Sequence, residues 1–196
     1  MKSIANVKGI KLGHASDAGG ITGFTSVLCE DGAVGSVAIF GGAPGTRETD
    51  LLKPSFSVSR VHGIFLTGGS AFGLNAAEGV VRYLEEKGVG FDTGVAKVPI
   101  VAGAVIFDLS VGDPKSRPTA EMAYQSCVNS AKGDSCCQSG NVGAGTGATV
   151  GKLYGPEFMM KSGLGNWFSD LGNFSVGALM VVNAAGNVYD PATGEQ

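Results

Sequence analysis

Ser70, Lys161 and Asn183 are the residues of this 196-residue chain whose type and surroundings best suit chemistry. Asn183 closes the apolar run Val176–Val182. A side-chain amide there can donate to a developing oxyanion, although the same residue type also caps turns. Lys161 lies in the stretch MKSGLG, where crowding and desolvation would lower a lysine pKa; a solvated loop lysine has the same local sequence. Gly69 and Ser70 stand between an apolar run and a periodic one. Gly145 and Thr146 lie in the glycine-rich segment GNVGAGTGATVG, residues 140–151. Backbone N–H groups in turns of this kind can cradle an oxyanion or a carboxylate, which makes Gly69, Ser70, Gly145 and Thr146 candidate substrate-binding positions.

Better-known motifs fail on their spacing. A P-loop needs a glycine where Thr146 stands and Ser or Thr where Leu153 follows Lys152. Gly143–Ala148 matches GxGxxA, but no convincing strand precedes it and no periodic helix follows, so a dinucleotide site is not expected. Gly68–Gly73 resembles the GxSxG elbow with its second glycine one place late. A Ser70 hydrolase would also need a histidine base. The chain has only His14 and His62, and His62, inside an apolar strand, reads as a structural residue. With no HxxE, CxxC or carboxylate cluster, no metal site is expected.

These residues need a scaffold. Phe24–Cys29 and Ala33–Phe40 read as a hairpin around Asp31–Gly32, followed by a turn-rich loop over Gly41–Asp50. Val61–Thr67 reads as a buried strand ending in Gly68–Gly69–Ser70. The spacing of Leu74, Ala77, Val81 and Leu84 predicts a helix, with Ser70 as N-cap and Gly88 as its left-handed stop. Val98–Leu109 is apolar and expected to be buried. A second helix follows Thr119, with Ala120, Ala123, Cys127 and Ala131 on one face and Gly133 as the stop. Phe174–Asn183 reads as a buried strand, turned by Ala184–Gly186, with a return starting at Asn187–Tyr189. The order implies mixed sheets covered by helices, an α/β (α+β) class in a single domain over residues 1–196.

Composition narrows the function classes. Fourteen basic against seventeen acidic residues leave a net charge of −3, which offers no electrostatic footprint for nucleic acid. No apolar run reaches the ~20 residues needed to cross a bilayer, and the first residues lack a signal-peptide core. Cys29, Cys127, Cys136 and Cys137 suit neither disulfide nor zinc spacing, so reduced thiols and a cytoplasmic location are expected. Glycine is the outlier, at 33 residues without a G-X-Y period. Such a chain makes tight turns and close backbone contacts.

Seven stretches together resemble one family: GHASD (13–17), GGAPGTRETDLL (41–52), LTGGSAFGLNAAEGVVRYLEEKGVGF (66–91), VPIVAGAVIFDL (98–109), GNVGAGTGATVGK (140–152), KSGLG (161–165) and VGALMVVNAAGNVYDPATG (176–194). The chain is similar to the DmpA type, which includes L-aminopeptidase/D-esterases, β-aminopeptidases and nylon-oligomer endo-hydrolases. The resemblance implies a four-layer αββα sandwich of the DmpA and ornithine-acetyltransferase kind. It also implies a self-cleaving precursor whose C-terminal β chain begins with the Ser or Thr nucleophile, and tetramers of αβ units without cofactor. Asn183 then matches the family's oxyanion-hole asparagine, and Lys161 a lysine beside the nucleophile. Phe107 aligns with a region where several members carry an active-site tyrosine. Nothing after Asn183 reads as the cleavage site. The chain is therefore expected to be the α subunit, hydrolysing a small amide or peptide only with its β chain, or a truncated product of its gene. A non-catalytic ligand- or partner-binding domain and an acyltransferase are the competing classes.

Overall fold

The computed structural model describes residues 2–133 and 137–195; Cys136 and Gln196 lie outside the described residues. The first hairpin joins β1 (Lys11–Asp17) to β2 (Thr22–Ala33), in register from Lys11 opposite Leu28 to Asp17 opposite Thr22. Its turn is held by Asp17, whose Oδ1 accepts from the N–H groups of Gly19 and Gly20. The hairpin expected around Asp31–Gly32 does not form. Instead β2 runs through those residues with a register shift, and the segment after Ala33 is not a strand. The reason is competition for partners. Phe24–Leu28 is already paired on both sides, leaving Val34 and Phe40 without a strand to join and largely exposed.

Further along are β3 (Thr46–Arg47), β4 (Val61–Thr67), α1 (Ala77–Glu86), the small hairpin β5 (Phe91–Asp92) and β6 (Lys97–Val98), β7 (Val101–Val105) and α2 (Ala120–Lys132). Strands β1, β2, β4, β7 and β3, in that spatial order, form a mixed sheet in which β4 and β7 run parallel and the other pairs antiparallel. Phe24, Leu28, Phe65 and Val101 on one face pack against Ala77, Val80, Tyr83 and Leu84 of α1 and Ala123 and Cys127 of α2. Glycines permit this closeness. A Cβ on Gly79 would lie 1.9 Å from Ala120 O, and one on Gly13 would lie 2.0 Å from Ser126 O.

Local signals place the helices with two amendments. Thr119 caps α2 by accepting from Met122 N–H at 3.2 Å, and Gly133 (φ 76°) ends it. Its buried face is Ala123, Ser126, Cys127 and Ser130, not Ala120 and Ala131, because β1 meets the helix at Gly13. Ser70 does not cap a helix. It starts a 3₁₀ stretch, Ser70–Ala76, that leads into α1, and its side chain makes no cap bond; Gly69 (φ 81°) stands at the N-cap. Gly88 (φ 64°) follows α1 as expected.

After α2, β8 (Thr149–Val150) pairs with β9 (Met160–Lys161), and β10 (Leu164–Asp170) with β11 (Ser175–Val181). Strand β11 is not buried as expected. Trp167, Val176 and Met180 stand on the exposed face of this hairpin, which nothing among the described residues covers. Residues 187–189 turn away without pairing. Within Val98–Leu109 burial is uneven: Ile100–Ala102, Ile106 and Asp108 are buried, while Val98 and Phe107 are exposed.

Candidate active site

The sheet face away from the helices carries His14, Ser16 and Thr25. His14 and Thr25 are opposite each other in the β1–β2 register and point towards a 3₁₀ turn, Gly143–Gly145, laid across that face. Thr25 Oγ1 accepts from Ala144 N–H at 3.0 Å and is hydrogen-bonded to His14 Nδ1, also at 3.0 Å. Ser16 Oγ accepts from Gly143 N–H and from Thr146 Oγ1. Gly143 lies so close that a Cβ would sit 2.1 Å from Thr25 Oγ1. The glycine-rich segment is thus fastened to β1 and β2 by side chains reaching up to its backbone.

Lys161 meets this segment from the other side. Its Nζ donates to Thr146 O at 2.5 Å and to Ala148 O at 3.2 Å. Burial pushes its pKa below the ordinary lysine value, and Asp108 draws it back up. The ammonium is turned onto the carbonyls, not into solvent. Gly147, between those carbonyls, packs on Asp108: a Cβ there would lie 2.4 Å from Asp108 Oδ2.

Asp108 was not singled out by residue type or spacing. It is 2% exposed, accepts from Gly69 N–H at 2.6 Å through Oδ1, and accepts from Thr22 Oγ1 at 2.7 Å through Oδ2. The available signal was a lone acid closing the apolar run that starts at Val98. The preceding residue, Phe107, donates its N–H to Asn183 Oδ1 at 2.9 Å. That bond fixes the Asn183 amide: Oδ1 faces the Phe107 donor and Nδ2 remains to donate elsewhere. Asn183 is exposed and lines a cleft of about 480 Å³ over the sheet, walled by Ile64, Leu66, Ala102, Ala104 and the 36–46 segment, with no charged side chain in its lining.

The structure therefore ties Gly69 to Asp108, Asn183 to the neighbouring Phe107, and Thr146 to Lys161. Ser70, in a left-handed conformation (φ 52°), donates its N–H to Ile106 O beside them. The backbone donors expected to cradle an oxyanion already have acceptors inside the chain. Gly69 N–H goes to Asp108, Gly145 N–H to Val142 O and Thr146 N–H to Gly143 O. Gly145 instead serves packing, with a Cβ there falling 2.4 Å from Leu164 N. His62 is buried, its Nδ1 accepting from Ile100 N–H at 3.1 Å, as the structural reading expected. Among the described residues no His, Cys, Asp and Glu side chains group to hold a metal, and no helix is long and apolar enough to cross a membrane.

This fold is that of Ntn-hydrolase-type aminopeptidases. The chain superposes on a Burkholderia sp. β-aminopeptidase with a TM-score of 0.70 at 18% identity, covering 94% of this chain and 52% of that one. On the L-aminopeptidase D-Ala-esterase/amidase of Ochrobactrum anthropi, described as a variant of the Ntn hydrolase fold, the TM-score is 0.64 at 19% identity, covering 90% and 52%. The chain belongs to Peptidase family S58, whose pattern matches residues 2–193. It is 50% identical over 205 aligned positions to an uncharacterized aminopeptidase of Mycobacterium tuberculosis, covering 99% of this chain and 56% of that protein. It is 31% identical over 186 positions to the 6-aminohexanoate-oligomer endohydrolase of a Kocuria species, covering 95% and 49%. The chain spans about half the length of the curated relatives it matches.

Proposed function

We propose that this chain forms the α part of a self-processed amidohydrolase, acting on a small peptide or amide through an acyl-enzyme. The nucleophile is a Ser or Thr outside these residues, at the start of a β chain, with its own α-amine as base. In this reading the hydroxyl loses its proton to that amine and attacks the amide carbonyl. Asn183 Nδ2–H then donates to the oxygen that becomes negative. Collapse of the intermediate breaks the C–N bond, the leaving amine takes the proton, and water repeats the sequence on the ester. Lys161 stands near the nucleophile and stabilises its charge.

One observation carries the reading: Phe107 N–H holds Asn183 Oδ1, so the amide is set in advance with its donor end free, beside an uncharged cleft that suits an amide substrate. The aminopeptidase and endohydrolase names of the relatives support amide chemistry, and their greater length leaves room for the segment that carries the nucleophile. The proposed assembly is a cytoplasmic homotetramer of αβ units.

A mass spectrum of the native protein tests the two-chain claim, with a second chain beginning in Ser or Thr as the expected result. Residues 1–196 expressed alone should not hydrolyse aminoacyl or β-aminoacyl amides, and adding the second chain should restore turnover. Hydrolysis by the isolated, monodisperse chain would overturn the reading.

A further inference from the structure

Asp108 is the one buried carboxylate among the described residues, and the chemistry above gives it no task. Holding a carboxylate away from water is costly unless donors and a cation face it. Here the donors are Gly69 N–H and Thr22 Oγ1. The cation is Lys161, separated from Asp108 by the Gly147 backbone whose flanking carbonyls it holds. Lys152, at the end of that segment, is tied to the carbonyl and hydroxyl of Thr149. Three separate walls of the site close on this one side chain. They are the turn after β4, the first residue of β2, and the glycine-rich segment. Gly68 and Gly147 have no room for a side chain because of it: a Cβ on Gly68 would lie 1.9 Å from Oδ2.

We propose that Asp108 is the positioning residue of this site. Its carboxylate locks the Gly68–Ser70 turn to β2 and keeps the adjoining Phe107 peptide aimed at Asn183, while supplying the negative charge that Lys161 faces. Asp108 acts through these groups and does not touch the substrate. Without the carboxylate, Gly69 N–H loses its acceptor in a turn where Gly69 and Ser70 are both left-handed, a conformation that surroundings must enforce. Phe107 then drifts, and the Asn183 amide is free to rotate its oxygen towards the oxyanion, where it repels. Lys161, left with burial alone, gives up its proton more readily.

The catalytic half of this proposal rests on the proposed amidohydrolase function; the structural half does not. Asp108→Asn and Thr22→Val in the full-length protein test both. Hydrogen–deuterium exchange, read by mass spectrometry on peptides spanning residues 66–73 and 105–110, reports the lock without any activity. Exchange in both peptides should rise about tenfold or more in Asp108→Asn, and less in Thr22→Val. In the same protein kcat should fall about ten- to a hundredfold with KM nearly unchanged, the scale of a misplaced catalytic group. The pH limb that reports Lys161 should move to lower pH, and Asp108→Glu should return that limb towards its original place. Unchanged exchange in a folded Asp108→Asn protein overturns the proposal, and so does an unchanged pH limb with full kcat. Should Asp108→Asn fail to fold, a Thr22→Val protein with wild-type exchange and kcat overturns it equally. Faster exchange in a protein whose wild type hydrolyses no amide would overturn the amidohydrolase reading and leave the positioning role standing.

Discussion

His14 makes the fold sensitive to mild acid, and the size of the effect follows from its surroundings. The ring is 3% exposed, and burial lowers its pKa from the ordinary 6.5 to about 4. Its Nδ1 is hydrogen-bonded to Thr25 Oγ1 and its Nε2 has no partner among the described residues, so the charged ring would bury an N–H without an acceptor. The unfolded chain therefore takes up a proton near pH 6.5 that the folded chain refuses until about pH 4. Between those values the unfolded state binds more protons, so stability falls as the pH falls and is flat on either side. A difference of roughly 2.5 pH units corresponds to about 3 kcal/mol. Urea unfolding between pH 7.5 and 4, on the wild type and on His14→Gln, isolates the effect. Carboxylates and His62 titrate in both proteins, so the difference in slope belongs to His14. The wild type should lose about 3 kcal/mol more than the variant. Parallel pH curves, or a His14 ring that titrates near 6.5 by NMR, would refute the reasoning.

Other substitutions test other parts of the structure. Asn183→Ala in the full-length protein should lower kcat by roughly 10²–10³-fold without changing the melting temperature, and turnover near wild type would remove Asn183 from the oxyanion role. Gly79→Leu should separate α1 from α2, because even a Cβ there would lie 1.9 Å from Ala120 O; circular dichroism should show lost helix at a temperature the wild type withstands. Thr119→Ala should cost about 0.5–2 kcal/mol as a lost cap, read by chemical denaturation. Ser70→Ala should show no such loss, since the Ser70 side chain caps nothing.

Much of the scaffold was legible because its causes are local. An apolar run between turns made β4, and three- and four-residue apolar spacing made α1. Thr119 and Gly133 bounded α2 by capping chemistry that acts within one turn. The hairpin at Asp31–Gly32 was misread because turn signals say where a chain can bend, not whether its neighbour already has partners. The burial of β11 was misread for a related reason: an apolar strand is buried only if something covers it.

Asn183 and Lys161 could be picked out by residue type, their glycine surroundings and the family resemblance, but not their orientation. The bond that orients Asn183 comes from Phe107, 76 residues away in sequence. Asp108 was invisible for the same reason. A lone acid at the end of an apolar run has no periodicity and no motif, and it gains meaning only when Thr22, Gly69 and Gly147 close around it. Residue order by itself determined the elements, their caps and the glycines that allow close approach, since each follows from steric and hydrogen-bonding preferences over a few residues. Which backbone donors are already spent, which amide end is free and which carboxylate faces the lysine were decided only by tertiary packing, because those contacts join segments that sequence leaves far apart.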